Sequence, residues 1–334
     1  MKIKYLAGFS AVRAAAFSIA VAATVGSLPQ AMAQDFPVKP IRMVVPYPPG
    51  GATDVAARVY ARKYAEVWGQ PVLVENRGGA GGNIGAAAVA KSAPDGYTWL
   101  FNNSGGAVSP VLYKSLSYDA VKDLMPVSMV FATAGVVLAV SPALNVNTVQ
   151  EFIALAKSQP GKINYASSGM GSAPHLMGEW FRMSTGIDTV HVPYKGDADI
   201  IPALMTNQVQ ASFLPALSGF PLVGGGKVRI LALSGPNRWP AAPGVPTLKE
   251  SGVPEVVYTG WNGIFVAAGT PAAIIAKINN ESNRIIHAPD VVKFYPGWGA
   301  VPGGGTPEEF ATRFRADVET FGRIIRGANI PLID

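Results

Sequence analysis

Residues 41–54, with the sequence IRMVVPYPPGGATD, pass from a β-rich run through a Pro- and Gly-rich loop directly into a helical pattern. The run 41–46 predicts a strand, and residues 54–68 predict a helix. The alternation continues as strand 71–75, helix 83–91 and strand 98–102. Because βαβ units are joined by right-handed crossovers, these elements predict a parallel sheet with helices packed on its faces.

A second set of elements follows farther along the chain and repeats the alternation. It consists of helix 148–158, strand 163–166, helix 173–185, strand 189–193, helix 198–207, strand 210–213 and strand 228–233. A length of 334 residues suffices for two domains, each with a core of its own. The sequence therefore predicts two α/β units.

Two apolar segments connect the two sets of elements. We interpret residues 127–140 as a single strand that passes from the first domain into the second, and residues 256–266 as the return. The predicted division is a first domain of residues 34–132 and 260–334 and a second domain of residues 133–259. Two crossing segments make a hinge, and the cleft between the domains is the natural place for a ligand.

The last part of the chain carries the pattern of an amphipathic helix. Apolar residues recur along one face at Phe310, Phe314, Val318, Phe321 and Ile325. This stripe has the helical period, so its three aromatic side chains are expected to pack in the core and not to hold a cofactor.

The N-terminus has the three parts of a secretory signal peptide. Three basic residues lie within the first 13 positions, residues 14–25 are apolar, and Ala31-Met32-Ala33 matches a small-residue cleavage site. The apolar run is shorter than the roughly 20 residues that span a bilayer, which makes an uncleaved anchor the weaker alternative. Removal of residues 1–33 would leave a protein that begins at Gln34 and works outside the cytoplasm. Loss of the three basic residues would lower the formal charge from +6 to +3.

Composition and residue spacing exclude several classes of partner and cofactor. The chain has no cysteine, which excludes disulfides, thiolate nucleophiles and cysteine-ligated metals. No basic run occurs after the signal segment, so a nucleic-acid partner is not expected. His175, His191 and His287 lack the spacing of metal ligands, and we expect neither a metal nor a cofactor.

Searches for catalytic motifs also fail. No G-x-S-x-G nucleophile elbow occurs in the chain. The segment from Gly79 to Ile84 lacks the last glycine of a dinucleotide fingerprint, and Gly226-Lys227 lacks the flanking residues of a phosphate-binding loop. We therefore interpret the protein as a non-enzyme. A secreted hydrolase whose Ser, His and Asp come from distant positions remains an alternative.

Three polar, glycine-rich loops follow predicted strands, at residues 46–54, 102–106 and 165–172. Glycine allows close approach of the backbone, and the free N–H groups of a first helical turn attract an anion. Ligands of open α/β sheets bind beyond the carboxyl ends of the strands, so these loops predict an anion site made of neutral donors. The candidate ligand contacts among them include Asn103, Ser104, Ser167 and Ser172.

The same loops carry a family resemblance. The chain resembles the Bug/TctC periplasmic solute receptors of tripartite tricarboxylate transporters over essentially the whole predicted mature sequence. The matching motifs are PYPPGGATD at 46–54, VENRGGAGGNIG at 74–85, NYASSG at 164–169, HVPYKG at 191–196, GVPT at 244–247, WNG at 261–263 and AGTP at 268–271.

The resemblance implies a two-lobed Venus flytrap, the type II-like periplasmic-binding-protein fold, which closes on a small carboxylate. It also implies a monomer that works in the periplasm and presents its ligand to a membrane permease. Carried over by position, it adds these candidate ligand contacts: Tyr47, Gly50, Gly51 and Thr53 from the first domain, and Ser168, Gly169, Gly171, Tyr194 and Lys195 from the second.

The chain departs from the family pattern near Phe213, where the family usually has an acidic residue. Without that acid, an amino-acid ligand lacks a counter-charge for its ammonium group, and the wall of the cleft is expected to be more apolar. The expected ligands are di- or tricarboxylates, or an aromatic carboxylate such as terephthalate. A receptor that reports its ligand to a membrane signalling protein uses the same closed form and remains an alternative to transport.

Overall fold

A computed structural model of the chain describes residues 36–334. The predicted signal segment 1–33 and the predicted mature start at Gln34 lie outside the described residues. The strands are β1 Ile41–Val45, β2 Val72–Asn76, β3 Thr98–Asn103, β4 Leu124–Thr133, β5 Val136–Val140, β6 Ile163–Ser167, β7 Thr189–Pro193, β8 Ala211–Pro215, β9 Arg229–Leu233, β10 Trp261–Ala267 and β11 Ala300–Pro302. The α-helices are α1 Ala52–Trp68, α2 Asn83–Ala90, α3 Ser109–Leu112, α4 Val149–Ser158, α5 Ala173–Thr185, α6 Asp197–Met205, α7 Ala216–Gly219, α8 Ala272–Ile286, α9 Pro289–Val292 and α10 Pro307–Gly327.

The first sheet has the strand order β11-β4-β10-β3-β1-β2. Strands β1, β2 and β3 pair in parallel, as the βαβαβ pattern predicted, whereas β10, β4 and β11 pair in antiparallel fashion. Met43 and Val45 of β1 belong to the same core cluster as the buried face of α1, and Val44 belongs to the cluster that contains α2. Helices therefore cover both faces of the parallel part, which explains why β1 is apolar on both sides.

The second sheet has the order β7-β6-β8-β5-β9 and repeats the plan of the first. Strands β6, β7 and β8 are parallel, and β5 is antiparallel to both β8 and β9. In each sheet, one antiparallel strand lies next to the parallel strands: β5 in the second sheet and β10 in the first. In both cases it is the first strand that the chain forms after it has crossed into that lobe. The two-lobed α/β architecture predicted from the sequence is confirmed, with sheets that are mixed and not purely parallel.

The prediction of a single strand over residues 127–140 is wrong. Strand β4 ends in the first sheet at Thr133, and β5 begins in the second sheet after Ala134 and Gly135. Gly135 has a φ of +101°, which residues with a Cβ rarely adopt, so the strand breaks there. The return segment runs beside the first crossing: the amide of Thr133 donates to the carbonyl of Gly260 at 2.8 Å, and the amide of Gly260 donates to Oγ1 of Thr133 at 3.0 Å.

Helix α10, at the C-terminal end of the chain, packs against both lobes. It begins with a capping box, in which the Thr306 and Glu309 side chains each bind the other's backbone amide. Phe310, Phe314 and Phe321 are buried, so the predicted aromatic stripe lies in the core. The helix packs against α3 of the first lobe and against α5 of the second. Within residues 36–334, no helix is long and apolar enough to cross a membrane.

Candidate ligand-binding site

A cleft of about 310 Å³ lies between the two lobes. It is lined by the start of α1, the loop after β3 and part of β10 on one side, and by the start of α5 and the end of β8 on the other. Both crossing segments and α10 complete the lining. No Lys, Arg, Asp or Glu is among the described residues that line it, so its polar groups are amides, hydroxyls and backbone atoms. Residues 36–334 contain no cluster of three or more acidic or histidine side chains that could hold a metal ion.

The buried carboxylate of Asp54 holds the loop that precedes α1. Its Oδ2 accepts from the amide of Gly50 at 2.9 Å and from Nε of Arg58 at 3.0 Å, and its Oδ1 accepts from Nδ2 of Asn76 at 2.8 Å. Burial acts to raise the pKa of Asp54, but these hydrogen bonds outweigh it and leave the pKa below its ordinary value. The helix itself begins after Gly51, which provides no side-chain cap. Asp54 thus fixes the loop and leaves the first amides of α1 without a capping side chain.

Replacement of Asp54 by alanine is expected to lower the free energy of unfolding by about 1 to 2 kcal/mol, because three donors lose a shared charged acceptor. Urea denaturation followed by circular dichroism measures this loss. Asp334→Ala is the matched control, since Asp334 forms an ion pair with Lys114 in which both side chains are exposed, and it should change stability by less than about 0.5 kcal/mol. Equal stability of the two variants would show that Asp54 does not hold the loop.

The amide of Asn103 joins the loop after β3 to the start of α1. Its Oδ1 accepts from the hydroxyl of Tyr47 at 2.8 Å and from the amide of Gly105 at 2.9 Å. Its Nδ2 donates to Oγ1 of Thr53 at 3.0 Å. Burial raises the pKa of Tyr47 above its ordinary value, so its phenol stays protonated and acts as the donor. The network fixes the first-lobe wall of the cleft.

Ser104 links this wall to the return crossing. Its Oγ lies 3.0 Å from the hydroxyl of Tyr258, and both residues line the cleft. Burial raises the pKa of Tyr258, which keeps the phenol neutral. Tyr258 also packs edge-on against Phe321 of α10, with ring centroids 6.0 Å apart. The return crossing segment is therefore hydrogen-bonded to the loop after β3, and both line the cleft.

In the second lobe, the hydroxyl of Ser167 is turned into the protein. Ser167 is fully buried, and its Oγ lies 2.6 Å from Nε2 of His191. The same Oγ donates to the carbonyl of Gly169 at 3.1 Å. Ser167 was predicted to contact the ligand, but its hydroxyl instead stabilises the loop from the buried side. Ser168 is half-buried, and its side chain makes no hydrogen bond to any other described residue.

Two stacked histidines support the rest of this loop. The rings of His175 and His191 have centroids 4.0 Å apart, and Nδ1 of His175 accepts from the amide of Gly171 at 3.1 Å. Burial, followed by the nearby His191, lowers the pKa of His175 to about 4, so the ring is neutral near pH 7. Gly171 itself lies so close to Leu112 of the first lobe that a Cβ would collide with it. The loop therefore contacts both the histidine pair and the opposite lobe.

The structure brings five of the predicted site residues together at the cleft and places the others elsewhere. Those that line the cleft are Thr53, Asn103, Ser104, Gly171 and Ser172. Those outside its lining are Tyr47, Gly50, Gly51, Ser167, Ser168, Gly169, Tyr194 and Lys195. Gly51 directly precedes the lining residue Ala52, whereas Tyr194 and Lys195 follow β7, where Lys195 is exposed.

Near Phe213, where a more apolar wall was predicted, Pro215 lines the cleft and Phe213 itself does not. Phe213 is buried in the core, where its ring packs against Phe181 of α5 with centroids 5.6 Å apart. Aromatic lining comes from residues that the sequence did not mark as site residues, namely Tyr258, Trp261 and Phe321. Asn262 was missed as well. The cross-strand pairing of Asn262 with Asn103 would have indicated it, because paired residues share one face of the sheet.

Comparisons with known proteins identify relatives of this chain. A family model described as "Tripartite tricarboxylate transporter family receptor" matches residues 56–330. Protein BugT of Bordetella pertussis (strain Tohama I) is 37% identical over 306 residues, which cover 91% of this chain and 94% of BugT. The structure "R. palustris Rpa4515 with adipate" has a TM-score of 0.75 at 31% identity and covers 90% of this chain and 100% of that chain. The structure "MatC (Rpa3494) from Rhodopseudomonas palustris with bound malate" has a TM-score of 0.71 at 29% identity and covers 87% of this chain and 100% of that chain.

The matched region, residues 56–330, includes every strand from β2 to β11, both crossing segments and α10. The family is described as one of receptors, and the similar solved structures include one titled "Structure of periplasmic binding protein BugD". This agrees with the two-sheet architecture and with a cleft lined by donors from both lobes. The chain therefore belongs to the TctC family of tripartite tricarboxylate transporter receptors, the periplasmic solute-binding proteins that include BugT.

Proposed function

We propose that this protein captures a small organic carboxylate between its lobes and delivers it to the membrane permease of a tripartite transporter. The observation that carries the proposal is a cleft whose neutral donors come from both lobes. Relatives with structures that contain adipate and malate support a carboxylate as the ligand. The proposed location is the periplasm, which rests on the predicted signal segment 1–33 and on the family.

Two helix N-termini supply the anion site. Helix α1 begins at the cleft with Ala52 and Thr53, and α5 begins there with Ala173 after its cap Ser172. The first amides of a helix have no partner within the helix, and the macrodipole favours negative charge at this end. At α5 the amide that remains for a ligand is that of Ala173, because Pro174 has no N–H and the amide of His175 donates to Oγ of Ser172 at 3.4 Å. Since no cation is among the described lining residues, the carboxylate is held by hydrogen bonds from neutral groups.

Closure of the lobes couples binding to delivery. The proposed lobes are residues 34–132 with 260–334 and residues 133–259, with the hinge at the two crossing segments. A ligand bound to one lobe gains the donors of the other lobe only in the closed form, so it shifts the population towards that form. The permease then recognises the closed shape.

The lining fits two classes of carboxylate. Tyr258, Trp261 and Phe321 give the cleft an aromatic surface, which suits a ring such as that of terephthalate. The amides and hydroxyls suit aliphatic di- and tricarboxylates. Glutamate and other amino acids are disfavoured, because no acid among the described lining residues balances an ammonium group.

Gly51→Val is expected to weaken carboxylate binding at least about 10-fold, because a branched side chain before the first turn of α1 blocks approach to its amides. The backbone tolerates the change, since φ is −74° and a Cβ would meet only the carbonyl of Pro48 at 3.7 Å. Ligand-stripped, refolded protein is screened against citrate, malate, glutamate, nicotinate, benzoate and terephthalate. A ligand at 100 times its Kd adds about 2.7 kcal/mol of stability, which raises Tm measurably.

Gly244→Val is the matched control, because Gly244 lies in an exposed turn and a Cβ there meets nothing within 4 Å. It should bind like the wild type. Wild-type affinity in Gly51→Val would remove the start of α1 from the site. A wild-type protein that no carboxylate stabilises would overturn the proposed function.

A further inference from the structure

A second pocket, of about 260 Å³, lies beside the return crossing and has no role in the function proposed above. One face of α10, between residues 313 and 321, lines it from the first lobe. Trp180 of α5 and Pro236, which follows β9, line it from the second lobe, and residues 257–259 of the return crossing lie between these two walls. We call this cavity the back pocket. Like the ligand cleft, it is bounded by both lobes.

The back pocket and the ligand cleft lie on opposite sides of the return crossing. Val257 and Thr259 line the back pocket and not the cleft, whereas Gly260 and Asn262 line the cleft and not the back pocket. Such a change of side is typical of an extended segment, in which successive residues face opposite directions. Tyr258 borders both cavities and separates them. A rotation of the lobes about this segment that narrows the cleft therefore widens the back pocket.

The first-lobe wall of the back pocket is fastened to the return crossing. Nη2 of Arg313 donates to the carbonyl of Thr259 at 2.7 Å, and Nε of Arg313 donates to Oδ1 of Asp317 at 3.0 Å. Oδ2 of Asp317 accepts from Nε1 of Trp261 at 2.7 Å. Within residues 36–334, no such hydrogen bond joins α10 to Trp180 on the opposite wall. The two walls can therefore separate without the loss of a hydrogen bond between them.

We propose that the back pocket sets the balance between the open and closed forms of the receptor, so that Ala316 controls ligand affinity from outside the cleft. This inference rests on the proposed function. Ala316 is exposed on α10 and lines the back pocket but not the cleft. A larger apolar side chain there fits the widened pocket and is crowded in the narrowed one, so it favours the closed form.

The affinity of the receptor depends on this balance even though Ala316 does not line the cleft. The apparent affinity for a ligand is the intrinsic affinity multiplied by the fraction of protein in the binding-competent form. A substitution that raises this fraction strengthens binding of every ligand that the closed form holds. Ala316 is in this sense a positioning residue, because it acts through the arrangement of the lobes.

Ala316→Leu and Ala316→Phe test the proposal with two increments of side-chain volume. The probes are malate, citrate, adipate and terephthalate, measured by calorimetry on ligand-stripped protein. Affinity for the carboxylate that the wild type binds best should rise with side-chain volume, by about 3- to 10-fold for Ala316→Phe. Small-angle X-ray scattering of the ligand-free variants should give a smaller radius of gyration than that of the wild type, because the closed form is more compact.

Ala276→Phe is the matched control, since Ala276 is exposed on α8 of the first lobe and lines neither cavity. It should have the affinity and the radius of gyration of the wild type. Leucine is a strong helix former, so Ala316→Leu keeps the test valid if the larger side chain disturbs α10. Thermal unfolding of each variant confirms that it is folded.

The outcomes separate this inference from the proposed function. An affinity that is unchanged or lowered in both Ala316 variants overturns the inference and leaves carboxylate binding intact. A gain in affinity without a smaller radius of gyration also overturns it, because closure is then not the cause. The same holds for an equal gain in Ala276→Phe. Absence of binding by every carboxylate tested overturns the proposed function and this inference with it.

Discussion

Lowering the pH from 6.5 to 4 is expected to remove about 3 kcal/mol from the free energy of unfolding through His175 alone. The folded protein keeps this imidazole neutral down to about pH 4, whereas the unfolded chain protonates it near pH 6.5. The unfolded state therefore binds more protons throughout this interval, and stability falls as the pH falls. Above pH 6.5 the effect is absent, because both states are neutral.

The groups around His175 set the size and direction of this effect. His191 stacks on the ring, and burial lowers its pKa as well, so it acts in the same direction. Glu179, which accepts from Tyr165 and pairs with Arg182, raises the pKa of both histidines and limits the shift. In the folded protein Nδ1 becomes protonated only near pH 4, which removes the acceptor for the amide of Gly171, so ligand affinity should fall near and below pH 4 and not at pH 5 to 6.5.

His175→Asn isolates the contribution, because an asparagine side chain can offer an acceptor near the position of Nδ1 and does not titrate. Urea unfolding of both proteins at half-unit steps from pH 4 to pH 7 measures it. The informative quantity is the difference between the two proteins in the slope of stability against pH. Burial raises the pKa of Asp317, which makes both proteins more stable as the pH falls, and this contribution cancels in the difference. Parallel curves for wild type and variant would contradict the assignment to His175.

Gly135→Ala is expected to lower the free energy of unfolding by about 3 kcal/mol or more. Gly135 lies between strands β4 and β5 and has a φ of +101°. A Cβ added there would collide with the carbonyl of Tyr258. The Cβ would also lie 2.5 Å from Oγ of Ser234. That hydroxyl donates to Tyr258 at 2.8 Å and accepts from Val136 at 2.9 Å, so it fastens one crossing segment to the other.

Gly186→Ala separates strain from collision. Gly186 also has a positive φ, of +67°, at the end of α5, but a Cβ there meets nothing within 4 Å. It should cost about 1 kcal/mol, which is the price of the backbone conformation alone. Chemical denaturation of both variants gives the comparison. If the two losses were equal, the contact between the crossing segments at Gly135 would contribute nothing.

The elements of the parallel sheets could be predicted because their signals are local. Strand 41–46 and helix 173–185 were predicted from apolar runs and helical periodicity, and the structure has them at Ile41–Val45 and Ala173–Thr185. The break at Gly135 was missed, since an apolar run looks the same whether it forms one strand or two. The strand ends at Gly135, where φ is positive and where an added Cβ would collide with residues far along the sequence.

The site shows the same division between local and non-local information. The loops that contain Thr53, Ser104 and Gly171 were predicted, because glycines and hydroxyls after strands are visible in the sequence. Whether a hydroxyl faces the cleft or the core is not visible, as the inward turn of Ser167 shows. Asn262 lines the cleft because β10 pairs with β3 in antiparallel fashion, and this pairing cannot be predicted from the sequence near Asn262.

The position of β10 between β3 and β4 governs when the first lobe can be completed. The lobe starts with the first described strand, yet β3 and β4 gain their shared neighbour only when Trp261–Ala267 has been added. Before that point both strands have unpaired edges, which invite association with other chains. A polypeptide that emerges N-terminus first, from a ribosome or from a translocation channel, therefore cannot finish its leading lobe early. Folding of the first lobe is deferred until the second has been delivered in full.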